Sequence, residues 1–380
     1  MIHVFGPAYL DRVVLVDRPL HDDDAPPLDQ SVDGDWKFGV GLRLVDPDGG
    51  ELTVGLPEDW PGPNGEVRLS RSTGRPIVGA LRVNALSWHD DLGGMGAGYA
   101  AALGGELVSA LGPIHDPMSL AVETRLKLQG IRHRPIRIAD HAADWTLLVT
   151  SGPFGDKLPV GFRGCHAAIE RLDPIGDCDL RVVASFPNRL AAEALRMPGA
   201  KVRMFAPSMR NMTDREHPVE RFVEFIDLLC CNRHEWESLE GREHVAWQVS
   251  VLAVTDGADG ALIRYTTPEG EAARLQIPVF PRSRPPRDTN RAGEAFAATL
   301  LGTLLQEGWK PAGGASPDLI RLAALRASAS AALVLDRAEF GFPSPSEIDE
   351  AILVGKVNSS TDGASDGSGY NAIVSVDPEP

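Results

Sequence analysis

Along the first 90 residues, apolar positions fall largely at alternate sites. Met1–Gly6 and Arg12–Val16 read as short buried strands. The acidic, proline-bearing segment 22–35 has the composition of a loop. Phe38, Val40, Leu42 and Leu44 then alternate, as do Leu52, Val54 and Leu56, and Asp46-Pro47-Asp48-Gly49-Gly50 between them is turn chemistry. Val67, Leu69 and the run Ile77–Val83 add further strand positions. One-sided alternation over residues 36–90 predicts a small β appendage that covers a surface or pairs with another chain.

From Gly93 the pattern changes. Gly94-Met95-Gly96-Ala97-Gly98 reads as a glycine-rich turn opening a helix at Tyr99. Predicted strands follow at Trp145–Thr150, Leu180–Phe186, Lys201–Phe205, Ile226–Cys230, Val249–Thr255, Ala261–Tyr265 and Ala273–Phe280. Predicted helices lie at Arg189–Arg196, Pro218–Phe225, Arg233–Leu239, Ala292–Leu305, Asp318–Leu335 and Ser346–Leu353. Strand–helix alternation predicts an α/β core over residues 1–35 and 91–355, with a mostly parallel central sheet covered on both faces. The tail over 356–380 is rich in Ser, Gly and Asp from Asn358 on, and is expected to be disordered.

Composition narrows the function classes. The 380 residues are 43% hydrophobic, enough for a sizeable core, and the net charge of −16 disfavours nucleic acid or an anionic membrane as the main partner. Cys165, Cys178, Cys230 and Cys231 form no C-x-x-C pair, so buried thiols in a reducing compartment are expected. The ten histidines show no metal-ligand spacing. The start resembles no signal peptide, and no apolar run approaches a membrane span, so the expectation is a soluble cytoplasmic protein.

The stretch PPRDTNRAGEAFAATLLGTLL, Pro285–Leu305, carries the chemistry. A small-residue turn that opens a helix presents free N–H groups at the positive end of a dipole, which is an anion site. Ala292 and Gly293 let an oxygen approach the main chain. Glu294 reads either as an acid that stabilises the helix start or as a general base beside a phosphate. Thr255-Asp256-Gly257-Ala258-Asp259-Gly260 makes a second turn after a strong strand, and Asn232-Arg233-His234-Glu235 follows another strand.

In this order the segments resemble the ribokinase-like family, the PfkB group of sugar and nucleoside kinases. The family's D-T-x-G-A-G-D-x-F reads here as Asp288-Thr289-Asn290-Arg291-Ala292-Gly293-Glu294-Ala295-Phe296; its G-G-x-x-x-N reads as Gly93–Gly98; its N-x-x-E is intact at Asn232 and Glu235. The resemblance implies a three-layer α/β/α sandwich with a small β lid, which in many members pairs in a dimer. It implies ATP and Mg2+, with the outer phosphates on the N–H groups of 291–294. It places Asn232, Glu235, Thr255, Gly257, Gly260, Asp288 and Thr289 around the nucleotide, with Glu235 reaching the metal through water. Asp11, Gly93, Gly94 and the position of Gly98 would hold a small hydroxylated substrate, and Glu294 would take its proton.

Four positions depart from the pattern: Glu294 for aspartate, Arg291 for a small residue, Gly98 for asparagine, and Ala206 for a polar residue near the phosphates, where Arg210 offers a replacement contact. Arg291 is open to three readings: it grips a phosphate, it fills the anion hole or pairs with Glu294 and so silences the site, or it points into solvent. Two functions follow. One is an ATP-dependent phosphotransferase acting on a sugar, nucleoside or similar molecule. The other is a catalytically impaired kinase fold serving as a ligand sensor or assembly partner. A dinucleotide oxidoreductase is disfavoured, because Gly94-x-Gly96-x-Gly98 follows a polar segment and lacks the G-x-G-x-x-G spacing.

Overall fold

A computed structural model of the chain describes residues 1–17, 35–39, 41–45, 51–55, 67–68, 80–151, 157–162, 164–282, 291–337, 339–361 and 373–375. The chain forms β1 (Ile2–Phe5), β2 (Tyr9–Val16), β3 (Asp35–Gly39), β4 (Gly41–Val45), β5 (Glu51–Gly55), β6 (Val67–Arg68), β7 (Ala80–Gly93), α1 (Met95–Leu103), β8 (Glu106–Leu111), α2 (Pro117–Leu128), β9 (Arg132–Arg137), β10 (Trp145–Thr150) and β11 (Lys157–Phe162). It continues through β12 (Cys178–Ala184), α3 (Asn188–Arg196), β13 (Ala200–Ala206), α4 (Met209–Met212), β14 (Leu228–Asn232), α5 (Arg233–Ser238), α6 (Arg242–Gln248), β15 (Val251–Thr255), β16 (Ala261–Thr266), β17 (Ala272–Ile277), α7 (Ala292–Gln306), α8 (Pro317–Val334), α9 (Pro345–Thr361) and β18 (Ile373–Ser375).

The main sheet runs in the order β18-β17-β16-β15-β14-β13-β12-β1-β8-β9. It is parallel from β9 to β15 and antiparallel beyond. Strand order reverses at β1, since β8 and β9 grow to one side and β12 to β15 to the other; such a switch point opens a crevice at the carboxyl ends of the strands. Val4, Leu107, Val182, Met204, Leu229 and Ala253 are fully buried, as expected of strands covered on both faces. Helix α7 packs on α8 and on α1, with α1 against β1, β8 and β12, while α3 also packs on β12 and α5 on β14. The result is a three-layer α/β/α sandwich.

A second sheet has the order β11-β10-β2-β7-β5-β4-β3-β6. It extends beyond the appendage expected over 36–90, because β2, β10 and β11 belong to it; Trp145–Thr150 was expected in the central sheet. Arg12 is the reason on β2. It ion-pairs with Asp90 at 2.9 Å and lies 5.8 Å from the Trp88 ring and 5.6 Å from the Trp145 ring, so three strands share one buried cation.

The sheets meet at a buried polar junction. Asp144 accepts from the main-chain N–H of Gly164 at 2.9 Å and of His166 at 3.3 Å, with the Cys165 thiol 3.7 Å away. His166 Nε2 accepts from the Ala110 N–H of β8 at 3.3 Å, which leaves the ring proton on Nδ1, 3.5 Å from Asp144. Burial pushes the Cys165 thiol up to about 12. Asp144, Cys165 and His166 converge as a metal-ligand set would. A metal on Nδ1 would instead move the proton to Nε2 and oppose it to the Ala110 N–H, so these hydrogen bonds describe a structural clasp.

Other elements differ from expectation. Pro218–Phe225 forms two 3₁₀ turns, Val219–Arg221 and Val223–Phe225, because Phe222 leaves the helical region at φ −140°. The helix expected to open at Tyr99 already begins at Met95. Strands β8 and β9 and helix α2 were not expected; β9 is an edge strand of Arg, His and Pro, chemistry that reads as loop. The tail is not uniformly disordered, since α9 runs to Thr361 and Ile373–Ser375 pairs with β17. The loop expected at 22–35 and the turn at 46–50 lie essentially outside the described residues. All four cysteines are buried with free thiols. Among the described residues no helix is long and apolar enough to cross a membrane.

Candidate active site

Helix α7 starts at the carboxyl edge of the main sheet, without a side-chain cap among the described residues. Its N-cap residue, Arg291, is left-handed at φ 68°, ψ −3°. Gly293 is exposed, and among the described residues a Cβ there would meet nothing within 4 Å. Glu294 lies in this turn and is half-buried. Burial raises its pKa, against the opposing pull of its own N–H and of the Arg291 charge. Gly98 of α1 faces it: a Cβ at 98 would sit 3.3 Å from Glu294 Cγ and 3.5 Å from Phe342 Cζ.

The N-x-x-E residues form a capping box at α5. Asn232 Oδ1 accepts from the Glu235 N–H at 2.9 Å, and Glu235 Oε2 accepts from the Asn232 N–H at 2.9 Å. Asn232 and Thr255 are register partners at the ends of β14 and β15. Burial raises the Glu235 pKa to about 7; the Asn232 main-chain N–H opposes this, and the charge of Glu294 adds to it. Two carboxylates therefore share one end of the crevice. Tyr99, fully buried on α1, stands beside them, with its pKa raised first by burial and then by the charges of Cys230, Glu294 and Glu235.

Asp11 and Gly93 form the opposite wall. A Cβ at Gly93 would fall 2.4 Å from Asp11 Oδ2, so only glycine leaves this carboxylate in place. Gly94 caps α1 at φ 96°. Asp11 pairs in register with Asp91, and Asp91 Oδ2 accepts from Arg291 Nη1 at 3.0 Å. The Arg291 guanidinium also lies 5.6 Å from the Phe340 ring, with only 9% of the side chain exposed. The solvent-facing reading of Arg291 is thereby corrected. Its partner Asp91 was absent from the expected set, although Asp91 and Gly93 stand two residues apart on one strand and so share a face.

Thr255 Oγ1 donates to the Cys231 carbonyl at 3.4 Å. Gly257 turns at φ 51° beside open space, whereas Gly260 at φ 89° is pressed against the Ile277 carbonyl of β17. Gly257 thus adjoins the edge of the crevice, and Gly260 closes the turn behind it. Arg233 bridges to Asp256 at 2.5 Å. Ala206 ends β13 fully buried, and Arg210 is exposed on α4. Asp288 and Thr289 lie outside the described residues.

Residues 80–347 match the family model of the pfkB carbohydrate kinases. The chain belongs to the pfkB family. Solved structures share its fold at low identity. A nucleoside kinase of Methanocaldococcus jannaschii, an archaeal member of the ribokinase family, superposes with a TM-score of 0.63 at 17% identity, covering 93% of this chain and 98% of that one. A ribokinase from Thermotoga maritima gives 0.59 at 17%, covering 93% and 99%. A nucleoside kinase of Burkholderia thailandensis in complex with ADP-inosine gives 0.57 at 16%, covering 93% and 96%. No curated protein sequence matches the chain. The pfkB match begins at residue 80, inside the second sheet, so β1 and β2 of this pfkB protein precede the matched span.

Proposed function

We infer that the protein is an ATP-dependent phosphotransferase that moves the γ-phosphate of ATP to a hydroxyl of a sugar, nucleoside or similar small molecule. The observation that carries this reading is the start of α7, which has no side-chain cap among the described residues and is exposed at Gly293, with the raised-pKa carboxylate of Glu294 in its first turn. The first-turn N–H groups would hold the outer phosphates. Asp11 and the bare main chain at Gly93-Gly94 would orient the acceptor. Glu294 would take the proton of the attacking hydroxyl while its oxygen bonds to phosphorus. The bond from phosphorus to the β–γ bridging oxygen breaks, and ADP leaves. Positioning and charge neutralisation do most of the work in such a reaction.

The residues present fit the nucleotide and its metal. Gly293 is exposed at the start of α7, a Cβ at Gly257 would meet nothing within 4 Å among the described residues, and Glu235 keeps a carboxylate in the first turn of α5 that would hold magnesium through water. Bound magnesium would neutralise phosphate charge. The test is ADP release from ATP and magnesium over a panel of sugars and nucleosides. Release with at least one acceptor, lost in Glu294→Ala, is expected. Release that survives Glu294→Ala unchanged removes Glu294 from the chemistry, and no release with any acceptor removes the activity.

Arg291 favours a second reading, a kinase fold that binds ligand without turnover, because its guanidinium at the cradle is already engaged by Asp91. Saturable ATP binding without ADP release would select that reading.

A further inference from the structure

We propose that Gly98 is a positioning residue for Glu294: the empty space at 98 seats the longer carboxylate arm, and the two positions act as one steric unit. The inference rests on the phosphotransferase reading for its catalytic consequence and on the packing for its steric part.

Gly98 is buried in the interior of α1, where glycine destabilises a helix relative to alanine. Its φ is not among the positive values of the chain, so no special backbone conformation calls for glycine there. What the position uses is space. A Cβ at 98 would lie 3.3 Å from Glu294 Cγ, 3.6 Å from Glu294 Cβ and 3.5 Å from Phe342 Cζ. A bare methyl already requires Glu294 Cγ to give by a few tenths of an ångström, while Glu294 Cβ and Phe342 Cζ would sit in ordinary contact with it. Any longer side chain would reach into the volume that the Glu294 methylenes occupy. Phe342 packs edge-on against Phe340, with ring centroids 5.8 Å apart, and closes the third side. The displaced arm would therefore have to leave its present seat.

Two sequence departures become one structural fact. An asparagine at 98 would suit a shorter acid at 294; glutamate at 294 suits glycine at 98. Gly98 on this argument contributes no substrate contact of its own. It fixes where the carboxylate ends, and a displacement of about 1 Å at a reacting group can cost on the order of a hundredfold in rate.

The test is a double-mutant cycle on the full chain: wild type, Gly98→Asn, Glu294→Asp and the double variant. Each is measured for kcat and acceptor KM with ATP and magnesium, and each is melted. Both singles should lose kcat by about tenfold or more with smaller changes in KM, and the double should recover about tenfold over the worse single. The melting temperatures should couple in the same direction. Losses that simply multiply in kcat, with additive melting shifts, overturn the proposal. Gly98→Ala serves if the asparagine variant fails to fold: it should lower kcat in the Glu294 protein and spare it in the Glu294→Asp protein, and equal effects in both overturn the pairing. A wild type without turnover on any acceptor defeats the phosphotransferase reading; coupled melting shifts would then leave the steric unit standing, and additive ones would remove it too.

Discussion

Arg291 and Asp91 join the start of helix α7 to the long strand of the second sheet through a contact of 3.0 Å. Neither side chain is more than 15% exposed, so the pair lies where screening is weak. Asp91 stands in register with Asp11, so the contact brings the Arg291 guanidinium to the strand pair that carries both carboxylates.

Asp91→Asn should therefore destabilise the protein by about 1–3 kcal/mol, since it leaves a largely buried guanidinium without its carboxylate. Arg291→Gln should cost a similar amount, and the double variant less than the sum. Denaturant melts of the four proteins check this; strictly additive losses would show that the pair contributes nothing.

Activity should rise with pH on its acid side. The proposed base must be ionised, and burial raises the Glu294 pKa above its usual 4.5. The kcat profile should show a rising limb whose midpoint lies above 4.5, and Glu294→Gln should lower kcat by about 10²–10⁴-fold and abolish that limb. A flat profile from pH 5 to 8 in wild type would place the proton elsewhere.

Stability should move the opposite way. Glu235 has its pKa raised to about 7 by burial, from 4.5 in the free chain. Between these values the folded state binds more protons than the unfolded one. The contribution is complete below about 4.5 and is lost as pH rises through about 7, by no more than about 3 kcal/mol. The melting temperature should accordingly fall from pH 5 to pH 8, and Glu235→Gln should flatten that slope. Equal slopes in both proteins would contradict the assignment.

Asn232 serves the fold through its cap whatever it does for a nucleotide. Asn232→Ala should cost about 1 kcal/mol, whereas Asn232→Asp should retain most of the cap. Thermal melts distinguish the two, and an alanine variant as stable as wild type would show that the capping box is idle.

Much of this was legible in the chain. Parallel strands buried on both faces read as short apolar runs, so β12 to β15 with α3 and α5 follow from periodicity, whereas the short α4 and α6 were not expected and Pro218–Phe225 is not one helix. The start of α7 declared itself through Ala292-Gly293 before an apolar run, because small residues and helix ends have local signatures. The second sheet was only half legible. Its membership rests on pairing between distant parts of the chain, where Arg12 meets Trp88, Asp90 and Trp145, and no local period encodes such a contact. Asp91 was passed over for the same reason: an acidic pair before two glycines is ordinary until Arg291, 200 residues later, is laid against it.

The sequence by itself determined many of the core elements and the chemical kinds of residue at the crevice, since periodicity, turn composition and helix-end preference act over a few residues. Tertiary structure alone decided which of those residues face one another: Gly98 against Glu294, Asp91 against Arg291, and Glu235 near enough to Glu294 for their charges to interact. Sterics and electrostatics between side chains depend on distances of a few ångströms, and only the folded chain sets these for residues far apart in sequence.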